Sequence, residues 1–230
     1  MRFMIRCDDL GLTPESAETP SGKARDKGLG LARRFHAAMQ GVPFLGATIP
    51  GEVDAEGVEW IRSRPAGLTV ALHGYRHATL VQRNEFLNES SAFIREKIAE
   101  AQRRIGPTKF YVPPHNQIDA EHIEPLWHEG IRYVFGREQE WPTPPSPVEM
   151  ARGVMFYPAW STLYGATAWT QGSATEPLLD VLPKIEHAEG KAVMTLHLPW
   201  QSAKDPDFLS VRVMAARYGH MFVSAEEFVK

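Results

Sequence analysis

Two histidines, His73 and His77, follow directly on an apolar run and are the first residues here whose type and spacing suggest chemistry. The run, residues 68–72, has the apolar and β-branched composition of a buried strand. Imidazoles four residues apart can converge on one point if the chain coils after that strand, and neutral imidazole is the commonest protein metal ligand. With one acid from elsewhere, the pair would make a three-ligand site with open positions. Either histidine alone would equally fit a surface position or a hydrogen-bonded core position.

Two consecutive acids, Asp8 and Asp9, follow the first predicted strand, residues 2–7. Acidic side chains are rarely buried without a partner, so the pair indicates function, with helix capping or a salt bridge as the alternative. Successive strand residues point to opposite faces, so the two carboxylates need not share one task. If Asp9 joins His73 and His77 on a divalent metal, Asp8 is placed to take a proton from water.

A third histidine, His197, follows the strand predicted at residues 191–196. We expect that strand on the far side of the site, from where the imidazole could give a proton to a leaving group. A base and an acid on opposite sides of a metal are what hydrolysis of an amide or ester requires.

Predicted strands and helices alternate along the whole chain, which favours a parallel α/β sheet closed as a barrel in one domain, residues 1–230. The predicted strands are residues 2–7, 42–49, 68–72, 109–112, 131–135, 153–157 and 191–196, with a further short strand at 221–223. The principal predicted helices are residues 27–40, 88–105, 119–129, 176–189 and 208–218. The candidate residues lie at or just past strand ends: Asp8, Asp9, His73, His77, His115 and His197. In a parallel barrel those ends share one face, and active sites occupy it.

Composition excludes several other classes of protein. The formal net charge of −3 gives no indication of a nucleic acid or an anionic membrane as partner. A single cysteine, Cys7, rules out an internal disulfide. The start of the chain lacks the apolar core of a signal peptide, so we expect a cytoplasmic protein, with a secreted chain trimmed of its signal as the alternative. No protein partner can be inferred.

The chain resembles the polysaccharide deacetylase family, the NodB-like carbohydrate esterases of the family 4 type, in four ordered motifs. They are Cys-Asp-Asp-Leu-Gly at 7–11, His-Gly-Tyr-Arg-His at 73–77, Tyr-Val-Pro-Pro-His at 111–115 and Leu-His at 196–197. The resemblance implies a distorted (β/α)7 barrel that removes acetyl groups from N-acetylated sugars or polysaccharides. It implies Asp8 as the catalytic base, His197 as the general acid and one divalent metal. The metal would be Zn²⁺, with Co²⁺, Ni²⁺ or Mn²⁺ as alternatives, since a mixed oxygen and nitrogen site accepts all four.

The resemblance also implies residue roles around that metal. It assigns Asp9, His73 and His77 as the ligands. Five residues are predicted to contact the acetylated carbohydrate, by their place in a motif or as aromatic platforms next to one: Tyr75, Pro114, His115, Leu196 and Trp200. Leu196 would receive the acetyl methyl group, whereas His115 and the adjacent Asn116 would fit a sugar-binding pair, a proton carrier or a simple turn.

One departure from the family pattern concerns the base. The family has an arginine before the Pro-Pro pair that orients the base, and this chain has Val112 there. Arg6 lies two residues before Asp8, on the same side of its strand, and is our candidate to replace it.

Two other functions stay open at this stage. A barrel that binds sugar but has lost activity would explain the missing arginine, although it would need neither Asp8 nor His197. A non-haem iron enzyme can use the same two-histidine, one-carboxylate set, but the ligand order and the alternating α/β pattern disfavour it. The identity of the acylated substrate and the oligomeric state are not predicted.

Overall fold

A computed structural model describes residues 2–11, 29–77, 84–139, 146–160, 190–198, 202 and 205–230 of the 230-residue chain. The strands are β1 (Arg2–Leu10), β2 (Phe44–Thr48), β3 (Leu68–Leu72), β4 (Phe110–Tyr111), β5 (Tyr133–Gln139), β6 (Val148–Ala151), β7 (Val154–Trp160) and β8 (Lys191–His197). The α-helices are α1 (Leu29–Ala38), α2 (Ala55–Arg62), α3 (Ser91–Ile105), α4 (Ala120–His128), α5 (Leu209–Tyr218) and α6 (Ala225–Phe228). The helix predicted at 176–189 lies outside the described residues.

The strands form one sheet in the order β6-β7-β5-β4-β3-β2-β1-β8. Among the described strands, every neighbouring pair is parallel except β6 and β7, which are antiparallel. The sheet curls until β7 approaches β8. The seven parallel strands match the seven longer predicted strands, and described helices separate the successive strands from β1 to β5. β6 is an addition that the sequence did not indicate. The short strand predicted at 221–223 is wrong, because residues Gly219–Met221 form a 3₁₀ turn and Phe222 makes an isolated bridge to Phe3.

Alternation along each strand divides the apolar core into two layers. One cluster lies inside the curled sheet and includes Met4, Leu45, Ala71, Phe110, Phe135 and Val193. The other lies between the sheet and the helices and includes Ile5, Phe35, Val70, Ile98 and Met194. Adjacent strand residues such as Met4 and Ile5 therefore belong to different layers.

Helices α2 and α3 begin where the sequence provides a side-chain cap. The Asp54 side chain accepts the amide N–H of Gly57 at the start of α2, at 2.7 Å. Ser90 does the same for Phe93 at the start of α3, and Gly106, at φ 89°, ends that helix. Among the described residues, no helix has the length and apolar character needed to cross a membrane.

Candidate active site

A bulge at the end of β1 brings both acids to the same mouth of the sheet. The register of β1 against β2 shifts between Cys7 and Leu10, and Asp9 has φ 66°. A bulge of this kind re-aims a side chain that regular alternation would send to the opposite face. Both carboxylates are buried, and each contacts a histidine at the mouth. The two acids therefore share one site with separate partners.

Asp9 forms a compact group with the histidine pair. Its Oδ1 lies 3.5 Å from Nε2 of His73 and 3.7 Å from Nε2 of His77. One donor atom from each of the three residues lies within 4.8 Å of the others. This is the convergence that the spacing of the two histidines predicted.

The backbone of the third motif fixes the orientation of His73. Its Nδ1 lies 2.8 Å from the carbonyl oxygen of Val112. A carbonyl can only accept a hydrogen bond, so Nδ1 carries the proton and Nε2 presents a lone pair to Asp9 in the neutral ring. Such an outer hydrogen bond is typical of metal-ligating histidines. The position at which the sequence lacks the expected arginine thus contributes to the site through its backbone.

The protonation states of this group follow from burial and close contact. Burial would raise the pKa of Asp9, but the contact with His73 and the surrounding imidazoles hold that pKa well below its ordinary value. Burial would lower the pKa of His73, but Asp9 and Asp8 raise it. Burial, followed by the neighbouring His73, lowers the pKa of His77 to about 3. His77 is therefore neutral at ordinary pH, whereas His73 holds a second proton more readily than a free imidazole does.

The donor chemistry fits a divalent cation. One carboxylate oxygen and two imidazole nitrogens point at a common centre, and lone pairs at that spacing repel each other unless a proton or a cation lies between them. Two nitrogens and one oxygen form a set that Zn²⁺ and similar ions accept, with positions left for further ligands. Asp9, His73 and His77 are the described residues that would hold the ion.

Asp8 is held by a buried arginine from its own strand. Arg6 Nε donates to Asp8 Oδ1 at 2.8 Å, and Arg6 Nη2 donates to Asp8 Oδ2. Arg6 also donates to the carbonyl oxygen of Phe135 and, at 2.6 Å, to Oδ1 of Asn116. Burial alone would raise the pKa of Asp8, but the Arg6 guanidinium lowers it below its ordinary value. Asp8 is therefore a carboxylate at neutral pH, and the predicted contact with Arg6 is present.

His197 is beside Asp8, and the expectation that it comes from the far side is wrong. Strand β8 is the hydrogen-bonded neighbour of β1, and Asp8 is in register with His197. Nε2 of His197 lies 3.6 Å from Oδ2 of Asp8. The error arose because chain order places 191–197 last, while closure of the sheet returns it to the first strand.

The predicted substrate contacts have different surroundings. His115 is exposed, and its ring centroid lies 4.8 Å from that of His77. Pro114 is buried beside Gly74. The ring of Tyr75 lies under Lys97 of α3, and Leu196 is buried in the layer between sheet and helices, on the opposite face of β8 from His197. The structure thus brings His115 to the metal group and does not bring Leu196 there. Trp200 lies outside the described residues.

Two residues of the site were missed by sequence reasoning. Glu85 is buried against the backbone of residues 74–76. Asn116, considered with His115 as a sugar-binding pair, a proton carrier or a turn, accepts a hydrogen bond from Arg6. Neither stands in a recognisable motif position, so no local pattern could have indicated its partner.

Comparison with known proteins gives structural matches only. No family model matches the chain, and neither does any curated protein sequence. A solved structure from Mycobacterium smegmatis, provisionally assigned as a polysaccharide deacetylase, has a TM-score of 0.69 at 18% identity, over 99% of this chain and 88% of that one. A family 4 carbohydrate esterase from Streptomyces lividans, solved with acetate, has a TM-score of 0.57 at 15% identity, over 97% and 91%. A family 4 pseudoenzyme from Bacillus anthracis has a TM-score of 0.59 at 12% sequence identity, over 100% of this chain and 65% of that one.

These likenesses establish the fold. The chain has the α/β architecture of a NodB-like distorted barrel, as the motifs predicted, and polysaccharide deacetylases and family 4 esterases are among its structural neighbours. At these identities the fold does not choose the reaction, because the same frame also occurs in a pseudoenzyme. The reaction has to be argued from the site itself.

Proposed function

We propose that this chain is a metal-dependent hydrolase that removes acetyl groups from N-acetylated sugars or polysaccharides. The observation that carries the proposal is the arrangement of two buried acids at one mouth. Asp9 is grouped with His73 and His77, while Asp8 is held between Arg6 and His197. A merely structural ion site would need the first group and not the second.

The proposed ligands are Asp9, His73 and His77, and the proposed ion is Zn²⁺. When bound, such an ion acts as a Lewis acid toward the acyl oxygen and toward water. Asp8, kept ionised by Arg6, is the proposed base that accepts a proton from the attacking water. Oxygen then adds to the acyl carbon, and the carbon–nitrogen bond breaks. His197 is the proposed donor of a proton to the departing nitrogen, so that the products are acetate and a free amine. In this proposal the acid acts from beside the base, 3.6 Å from Asp8, and not from across the site.

Arg6 is the proposed replacement for the family arginine. It fixes the base through two hydrogen bonds, and its remaining donors reach β5 and the loop after β4. Bidentate guanidinium–carboxylate pairs hold both orientation and charge, which a base in a buried site needs. Among the predicted substrate residues, His115 has the strongest support because its ring lies against His77.

Acetate release from a panel of N- and O-acetylated sugars tests this proposal. The protein is stripped of metal, assayed, and assayed again after addition of Zn²⁺, Co²⁺, Ni²⁺ or Mn²⁺ separately. We expect acetate only from metal-loaded protein and only with Asp8 present. Metal-loaded protein that releases no acetate from any member of the panel would contradict the proposal.

A barrel that binds carbohydrate without turnover is the second candidate. The pseudoenzyme among the structural neighbours and the valine at position 112 favour it. Asp8→Asn separates the two functions. A binding protein would retain its sugar affinity in this variant and release no acetate in either form, whereas an enzyme would lose acetate release that the wild type shows.

A further inference from the structure

The turn that carries both metal-ligand histidines, residues 73–77 and here called the histidine turn, has an unusual backbone. Gly74 has φ 71° and His77 has φ 68°. A residue other than glycine pays a conformational cost in this left-handed region. Such a turn persists only where its surroundings determine it. The groups that hold its backbone are therefore part of the machinery that places the two imidazoles.

Glu85 supplies the acceptors for this turn. Its Oε2 accepts the amide N–H of Arg76 at 2.9 Å, and its Oε1 accepts the amide N–H of Tyr75. The side chain is buried, at 4% exposure. The two amides lie between the two histidines in the sequence, so one carboxylate binds the middle of the turn with both of its oxygens.

The opposite side of the turn is fixed as well. The N–H of Gly51 donates to the carbonyl oxygen of Tyr75 at 2.7 Å. Gly74 packs so closely on Glu85 that a Cβ at this position would overlap the carboxylate. Glycine is therefore required there by the close approach of Glu85 as well as by its positive φ.

The residues next to Glu85 hold it in place through their own hydrogen bonds and burial. The neighbouring Asn84 donates from Nδ2 to the carbonyl oxygen of Gln117 at 2.8 Å, and its Oδ1 accepts the N–H of Phe86 at 2.9 Å. Phe86 is buried, and its carbonyl oxygen is 3.0 Å from Nε2 of His122 on α4. The carboxylate thus connects the histidine turn to the helical layer.

We propose that Glu85 is a positioning residue for the metal site: its buried carboxylate, bound to the Tyr75 and Arg76 amides, holds His73 and His77 at the separation that a divalent ion requires. This inference rests on the proposed metal site and adds the residue that preorganises it. Outer-shell residues of metal sites typically change metal affinity about 10- to 100-fold when they are replaced. Glu85 reaches the ligands through their backbone rather than through their rings.

Titration of metal-free protein with Co²⁺ and with Zn²⁺ tests the proposal without any sugar. We expect Glu85→Gln to bind each ion about 10- to 100-fold more weakly than the wild type. Asp205→Asn is the matched control, because Asp205 is also a buried carboxylate that accepts two adjacent amides, those of Leu209 and Ser210 at 2.8 and 3.0 Å, together with the Ser210 hydroxyl. Its amide donors belong to α5, so this variant should lose thermal stability while keeping wild-type metal affinity.

Folded Glu85→Gln with wild-type affinity for both ions would overturn the proposal. An equal loss of affinity in Asp205→Asn would also overturn it, since the effect would then follow stability alone. If Glu85→Gln does not fold, Glu85→Asp replaces it, because the charge is kept and the carboxylate is withdrawn by one methylene. A loss of about tenfold there supports the proposal, and unchanged affinity refutes it. The metal titration does not depend on acetate release. A wild type that binds metal but releases no acetate would therefore contradict the proposed function without contradicting this inference.

Discussion

Replacing Arg6 with methionine should destabilise the protein strongly and in a pH-dependent way. Arg6 and Asp8 are each about 1% exposed, and the substitution removes both hydrogen bonds to the carboxylate. It also removes the donors to Phe135 and Asn116. Removing one partner of a buried ion pair typically costs about 3–5 kcal/mol, because the other charge is left without compensation. For a protein of this size, about 2–4 °C per kcal/mol gives a fall in Tm of roughly 6–20 °C.

The sign of the pH dependence follows from the pKa of Asp8. In the wild type that pKa lies below its ordinary value, so the ion pair contributes stability above the unfolded pKa of about 3.9 and loses it as the pH falls through the folded pKa. Without Arg6, burial dominates and raises the pKa of Asp8. The ionised carboxylate then destabilises the variant at neutral pH. The difference in unfolding free energy should be largest near pH 7 and should shrink toward pH 3.

Urea unfolding of metal-free protein at pH 7, 5 and 3 measures this difference. Arg2→Met is the matched control on the same strand, because Arg2 pairs with Glu227 at 3.0 Å on the surface, where such pairs contribute about 0–1 kcal/mol. The double variant Arg6→Met/Asp8→Asn should recover much of the loss, since position 8 then no longer carries a buried, uncompensated charge. A loss below about 1 kcal/mol at pH 7 that stays constant down to pH 3 would refute the reasoning.

Three further outcomes are expected. Asp8→Asn should lower kcat for acetate release about 10²- to 10⁴-fold. Calorimetry should show that it weakens metal binding far less than Asp9→Asn does. A loss of activity matched by an equal loss of metal affinity would contradict the assignment of Asp8 as the base. Because the pKa of His73 is raised, a metal ion must displace a proton from this imidazole. The affinity measured for Zn²⁺ should therefore increase from pH 6 to pH 8, and binding should release protons to the buffer. An affinity that is flat over this range would count against His73 as a ligand that loses a proton on binding. Gly51→Ala places a Cβ 2.6 Å from the carbonyl oxygen of Tyr75. Thermal unfolding should show a loss of about 1–3 kcal/mol in the free energy of unfolding. Wild-type stability would mean that the backbone of the histidine turn is not held rigidly.

The parts of this molecule that sequence predicted are those encoded by local pattern. Apolar runs with β-branched residues located seven strands, and polar residues immediately after them marked the mouth of the barrel. The histidine pair was recognisable because its spacing is set within a single turn. Arg6 and Asp8 were recognisable as partners because residues two apart share one face of a strand.

The parts that sequence missed depend on contacts between distant segments. The position of His197 beside Asp8 follows from the β1–β8 register, which no local window encodes. The bulge that turns Asp9 toward His73 is likewise visible only when β1 is paired with β2. Glu85 was missed for the same reason, because a glutamate in a polar stretch is normally solvated, whereas here the backbone of the histidine turn provides its partners.

The arginine on β1 changes which part of the chain orients the proposed base. In the family that the motifs resemble, the arginine that orients the base precedes the Pro-Pro pair. Here the residue at that position is Val112, and the guanidinium that contacts Asp8 comes from Arg6. A side chain two residues away on the same strand is held by strand geometry and does not depend on the loop after β4. That loop still contributes, through the Val112 carbonyl at His73 and through Asn116 at Arg6. Loss of the motif arginine therefore does not imply loss of a charged, oriented base, and position 112 alone is weak evidence for an inactive barrel.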